Sequence, residues 1–262
     1  WFGVPAPWIN AMSADTERTF RLVVAYEGTD FAGFQSQSNA RTVQDVLEAA
    51  LKTVLKEDRR IAAAGRTDAG VHALGQVVRV STTNRIPVDR LSVALNRVLP
   101  SAVLVRKAAL CAAHFHPRHD AVLRTYRYRI DNRVVPDVLS RQYVWHVPTR
   151  LDVPRMQRAA APLLGTRDFA AFCSAGSWTA STVRTLARLD CRRRGAEVLI
   201  TVAANAFLYR MVRNLVGTLV AIGRGAVPPE ALLEICDSRR RDRCSAPAPA
   251  SGLTLMRVDY PE

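Results

Sequence analysis

The run Gly65-Arg66-Thr67-Asp68-Ala69-Gly70-Val71-His72 sets a guanidinium, a hydroxyl and a carboxylate side by side between two glycines. An arginine two residues from an aspartate favours the ionised carboxylate, as any nearby opposite charge does. A carboxylate kept ionised on a rigid loop can serve as a nucleophile or a base. The glycines at its ends tolerate unusual backbone and the close approach of a ligand. The same residues also compose a surface turn closed by an Arg–Asp pair of little energetic weight. What must position them is a pair of strands. The apolar run Ile61 to Ala64 precedes the loop, and Gln76 to Thr82 follows it with strand character.

Two other stretches carry candidate chemistry. In Arg124-Thr125-Tyr126-Arg127-Tyr128-Arg129-Ile130, period two sets Tyr126, Tyr128 and Ile130 on one face and Arg127 and Arg129 on the other. Aromatics interleaved with arginines suit RNA, whose bases stack on rings and whose phosphates meet cations. A core strand with a solvated basic back has the same pattern, and periodicity does not choose between Tyr126 and Tyr128. In Asn205 to Gly217, helical spacing puts Phe207, Met211, Leu215 and Val216 on one apolar side, with Leu208 and Val212 beside it. Arg213 lies near that stripe, where it either snorkels to water or requires a partner. Cys111, His114, His116 and His119 have the spacing of metal ligands, but no second cluster completes a zinc site, and no metal is expected.

The elements around these stretches form two similar series. Thr19 to Tyr26 alternates as a strand. Thr42 with Asp45 is a variant capping box before a helix whose apolar face carries Val43, Val46, Leu47, Ala50, Leu51, Val54 and Leu55. Beyond the Asp68 loop and its strands, Pro87 opens a helix that Pro100 stops, and Val103 to Lys107 is a strand. The order is β-α-β-β-α-β, a ferredoxin-like unit. The later elements repeat it: a strand at 124–130, a helix at 154–164, a hairpin of 182–191 with 197–204, a helix at 207–222, a short helix at 229–236 and a strand at 253–258. The expected fold is therefore α+β, with two pseudo-symmetric ferredoxin-like halves, largely antiparallel sheets and a central cleft. Residues 1–18 are expected to be a flexible extension, 19–112 the half with the Asp68 loop, and 113–262 the half with Tyr126 and Arg213.

The 262 residues carry 37 Lys+Arg against 23 Asp+Glu, a net charge of +14, which favours a polyanionic partner, nucleic acid before membrane. The longest apolar stretch, Leu215 to Ile222, is too short to span a bilayer. Five cysteines without a Cys-x-x-Cys pair suit a reducing compartment, so a cytoplasmic location is expected.

Gly65 to His72 resembles the active-site motif of the tRNA pseudouridine synthase A family. Arg124 to Ile130 resembles its Arg-x-Tyr-x-Tyr strand, and Met211-Val212-Arg213-Asn214 its Met-Val-Arg-Asn helix. Phe115 to Arg118 and Gly252 to Pro261 match as well, so the likeness runs from about Phe20 to Pro261. It implies that Asp68 is the catalytic nucleophile, that Tyr126 stacks on the target uracil, and that Arg213 pairs with Asp68. Arg66 would help to keep that carboxylate charged, while Gly65, Thr67, His72 and Asn214 would contact substrate. It further implies an isomerase that converts uridine to pseudouridine in the tRNA anticodon stem-loop, needs no metal or organic cofactor, and works as a homodimer. The chain departs from the family at Phe34, at Asn96-Arg97-Val98 and at Tyr209-Arg210, positions that bear on RNA contact rather than on chemistry. Two other functions compete: a non-catalytic RNA-binding protein on the same frame, which leaves Asp68 unexplained, and a zinc-dependent nucleobase deaminase, for which the Cys-x-x-Cys pair is missing.

Overall fold

A computed structural model describes residues 17–176 and 179–261, so residues 1–16 of the expected extension lie outside the described residues. The chain runs β1 (Arg18–Tyr26), α1 (Val43–Leu55), β2 (Ala62–Ala63), β3 (His72–Thr82), α2 (Val88–Val98), β4 (Val103–Cys111), β5 (Leu123–Asp131), β6 (Trp145–His146), α3 (Val153–Ala160), β7 (Gly165–Asp168), β8 (Val183–Arg194), β9 (Glu197–Ala204), α4 (Met211–Gly223), α5 (Ala231–Ser238) and β10 (Leu253–Asp259). Local chemistry explains some boundaries. Thr42 caps α1 by accepting from the Asp45 N–H at 3.2 Å, as the capping box predicts. Arg18, assigned to the extension from sequence, opens β1, and its guanidinium donates to the carbonyls of Asn84 and Ile86.

Several expectations change: β3 begins at His72 rather than at Gln76, and β4 runs on past Lys107 to Cys111. The helix expected over 154–164 ends at Ala160 and tightens into a 3-10 turn over Ala161–Leu163, since Pro162 has no N–H for the α ladder. The helix expected from Phe207 begins at Met211, because Arg210 at its start adopts a left-handed φ of 57°. The largest change concerns the sheet. Instead of two sheets there is one of ten strands, in the order β4-β1-β3-β10-β5-β9-β8-β7, with β2 also on β3 and β6 on β5. β2 is only two residues long and covers β3 at Val78 and Arg79 alone, leaving the rest of that edge unpaired. β10 fills it in parallel at His72 and Ala73, satisfying main-chain groups that would otherwise lack partners.

Residues directly opposite in a ladder point to the same side. Tyr26 pairs with Ala73, Ala73 with Leu255 and Leu255 with Tyr126, so these four form one row across the junction. On the same side lie both hydrophobic cores. One is built from Phe20, Leu22, Leu47, Leu51, Leu91 and Leu95. The other contains Tyr128, Ile130, Met156, Ile200, Leu215 and Leu219. Each fully buried side chain of this kind contributes roughly 1.5–3 kcal/mol. Tyr126 packs against both cores, which places it at their seam.

Candidate active site at the seam of the sheet

The loop between β2 and β3 is held from below and from the side. The Ala64 N–H donates to the Val77 carbonyl at 2.8 Å, and Gln76 Nε2 donates to the Gly65 carbonyl at 2.8 Å. The hydroxyls of Tyr26 and Thr67 share a hydrogen bond of 2.8 Å, and burial pushes the Tyr26 phenol up to about 12. Phe34 N–H donates to the Thr67 carbonyl, Gly70 N–H to that of Phe31, and Val71 N–H to that of Asp68. Gly33 makes this bracing possible, because a Cβ there would sit 2.9 Å from the Thr67 oxygen. Gly70 turns with φ of 77°. Gly65 has no positive φ; it is open, with nothing within 4 Å of where a Cβ would lie.

Asp68, at the head of this loop, meets Arg213 across the seam. Arg213 Nη1 lies 3.1 Å from Asp68 Oδ2, and the two side chains are only 14% and 20% exposed. The guanidinium is fixed independently, since its Nε donates to the Ala248 carbonyl at 2.7 Å while the Ala248 N–H donates back to the Arg213 carbonyl at 3.0 Å. The segment carrying Ala248 lies so close to α4 that a Cβ on Gly217 would come within 2.0 Å of the Ala246 oxygen. An arginine near an apolar helix stripe is thereby given the partner it requires, a carboxylate 145 positions away in sequence.

Tyr126 is half-buried, with its ring edge-to-face on Phe207 at 5.1 Å between centroids. Its hydroxyl makes no hydrogen bond among the described residues. Burial pushes its phenol well above the ordinary value, and Tyr26 and the Asp68 carboxylate add to that. Tyr128 differs. It is fully buried, donates to the Pro249 carbonyl at 2.8 Å, and covers Gly252, where a Cβ would come within 2.5 Å of its ring. The two tyrosines that periodicity left equivalent are thus separated into a seam residue and a core residue.

Other candidates move. Arg66 is exposed and forms no ion pair with Asp68; adjacency in a loop does not make two side chains converge, and the carboxylate is held by Arg213. His72 is a correction. It is 4% exposed, and pairs with Thr254, which pairs with Arg127, on the sheet face opposite Tyr126. Its Nδ1 accepts from the Gly28 N–H at 3.0 Å, so its Nε2 carries the proton toward the carbonyls of Gln142 and Ser251. Both ring nitrogens are thus engaged inside the fold. Asn214 is a second correction: it is fully buried, donates to the Phe172 carbonyl and to Ser174 Oγ, and accepts from Arg241. Thr67 is buried under the loop with its hydroxyl on Tyr26, a support rather than a substrate contact.

Sequence reasoning missed Tyr26, Gln76 and Phe207. The signal for Gln76 was a polar residue at a core-facing position of a strand. A cavity of about 510 Å³ lies on the opposite sheet face, lined by His72, Arg127, Arg129, Tyr143 and Arg194, and includes neither Asp68 nor Tyr126. Among the described residues no group of three His, Cys, Asp or Glu side chains could hold a metal ion, and His116 instead accepts from the N–H groups of Arg118 and His119.

A family model for tRNA pseudouridine synthase matches residues 22–120 and 159–261. The chain is 45% identical to the tRNA pseudouridine synthase A of Brevibacillus brevis, over 93% of this chain and 100% of that one. It is 47% identical to the enzyme of the same name from Methylobacterium nodulans, over 93% and 96%, and 47% to that of Roseiflexus castenholzii, over 94% and 92%. The seam site and these similarities agree: the chain belongs to the tRNA pseudouridine synthase family.

Proposed function

We propose that this chain isomerises uridine to pseudouridine in tRNA, in the anticodon stem-loop, with Asp68 as the nucleophile. The observation that carries the proposal is the Asp68–Arg213 pair at the seam next to Tyr126, in a chain of this family. The reaction breaks the bond from C1′ to N1 of the base and forms one from C1′ to C5; C5 loses its hydrogen as a proton and N1 takes one up, so the atoms balance. Arg213, bonded to Asp68 Oδ2 at 3.1 Å, holds that carboxylate aimed at the seam while bound RNA excludes water. Tyr126, half-buried at the seam, stacks on the uracil, which must leave its stack to react. Arg66 and the open Gly65 backbone lie at the loop's exposed rim, where the cation meets RNA phosphate.

Incubating the protein with tRNA labelled with tritium at uridine C5 tests this, since tritium is released to water only if the new C–C bond forms. Binding of tRNA without release would favour a non-catalytic RNA-binding protein. In the same assay Tyr126→Ala should lose roughly 1–3 kcal/mol of stacking, while Tyr126→Phe keeps the ring. Near-wild-type turnover in both variants would remove Tyr126 from the site.

The finer architecture also belongs to this reading. We infer that 19–112 and 113–262 are pseudo-symmetric ferredoxin-like halves. The order β4-β1-β3-β2 in the first and β10-β5-β9-β8 in the second both run last, first, third, second, which supports the inference. The protein is further proposed to be a homodimer. Val134, Val135, Val138 and Leu139 are 81%, 75%, 67% and 91% exposed on one loop, an apolar surface suited to a second copy. Light scattering that gives the mass of a single chain at assay concentration would exclude the dimer.

A further inference from the structure

β5 reaches the site at a second point. Two residues before Tyr126, on the same face of the strand, Arg124 is only 9% exposed. A cation at that depth requires partners, and among the described residues it forms no ion pair. Its Nη1 donates to the carbonyls of Ala121, at 2.9 Å, and Asn205; its Nη2 donates to those of Ala64, at 3.3 Å, and Arg118. Each Nη carries two N–H groups, so all four are spent on main-chain oxygens. Burial pushes the guanidinium below its ordinary pKa, with Tyr260 and Tyr126 acting the other way.

The acceptors come from three separate stretches. Ala64 is the stem of the Asp68 loop, immediately before Gly65. Arg118 and Ala121 belong to the connection between β4 and β5. Asn205 follows β9 on the approach to α4, the helix that carries Arg213. One side chain therefore ties the nucleophile's loop to the strand of Tyr126 and to the approach to Arg213. Lysine could not do this, since its three donors radiate from a single nitrogen and do not form a planar fork.

We propose that Arg124 is a positioning residue for the isomerisation: by holding the Ala64 carbonyl it sets the Asp68 loop against Tyr126, and so governs kcat through those two residues. The proposal rests on the assignment of Asp68 and Tyr126 made above. A side chain that touches neither nucleophile nor base, but fixes their separation, acts on turnover more than on binding.

The test compares wild type, Arg124→Lys, Arg124→Met and Asp68→Asn by tritium release from C5-labelled tRNA, tRNA affinity and thermal midpoint. Arg124→Met should lower kcat about 100-fold, with KM and tRNA affinity within about twofold of wild type, the scale expected for misplaced catalytic groups. Arg124→Lys keeps the charge but loses the fork, and should sit about tenfold below wild type in kcat with a near-normal midpoint. If Arg124→Met does not fold, Arg124→Lys decides. Wild-type kcat in Arg124→Lys together with a loss in Arg124→Met that disappears well below its midpoint would make the arginine merely structural. A raised KM at unchanged kcat would make it an RNA contact. Either outcome overturns the proposal. Turnover retained by Asp68→Asn would remove the underlying assignment; an inactive Asp68→Asn beside fully active Arg124 variants would remove the positioning role alone.

Discussion

Asp68→Asn is expected to abolish tritium release while leaving tRNA binding as tight as wild type or slightly tighter. The amide keeps the size of the carboxylate and an oxygen for Arg213 Nη1, so the loop, braced through Thr67, Gly65 and Asp68 main-chain bonds, should retain its shape. An amide is neither an adequate nucleophile nor an adequate base, so the chemical step has no substitute. Binding rests on a different set of groups. The surplus of 37 Lys+Arg over 23 Asp+Glu drives association through released counterions, to which one active-site carboxylate adds nothing favourable. The measurements are tRNA affinity at two salt concentrations, with equal salt slopes expected, and tritium release side by side. Turnover surviving in the variant would reduce the Gly65–Gly70 loop to a turn.

Arg213→Met should produce the second large loss. Methionine fills much of the same space on α4 but removes both the contact with Asp68 and the hydrogen bond to Ala248. Turnover should fall by about 100-fold or more, the scale for removing one preorganised charged donor from a catalytic group. Stability should fall by on the order of 2–3 kcal/mol, because Asp68 is left partly buried without its partner. Arg213→Lys restores a charge but cannot bond Ala248 and Asp68 with one planar fork, so an intermediate loss of about tenfold is expected. Kinetics on tRNA and a denaturant melt measure the two effects. Unchanged kcat in Arg213→Met would show that the ion pair holds the seam together without serving the reaction.

The parts of this site differ in how far they were legible from residue order. Asp68 stood in a short, specific motif, and its loop was placed between two strands, although β3 begins at His72 rather than at Gln76 and β2 keeps only Ala62 and Ala63. Periodicity placed Tyr126 only to a face shared with Tyr128, and the motif resemblance singled it out; in the fold, Leu255 of β10 pairs beside Tyr126 at the seam, while Tyr128 is enclosed by Pro249, Gly252 and Trp145. His72 and Asn214 belong to matched motifs yet make bonds inside the fold, because neighbouring residues on a strand or helix point to different sides and only one side meets the cleft. Arg66 was paired with Asp68 on grounds of proximity along the chain. The contact that exists is with Arg213, 145 positions away; the Met-Val-Arg-Asn resemblance implied it, whereas spacing alone could not, because such contacts depend on how elements pack.

Composition, periodicity and capping specified most of the segments that become strands and helices, though not the short β6 and β7, and which of their faces are apolar, since these depend on residues three or four positions apart at most. They could not specify that β10 would lie beside β3 and fuse two sheets into one. Strand pairing joins main-chain N–H and C=O groups that every residue but proline carries, so it leaves little mark in the side chains. The choice was made by an unfilled edge: β2 is too short to cover β3, and β10 supplies the missing partner. That one pairing creates the seam on which Asp68, Arg213, Tyr126 and Arg124 meet.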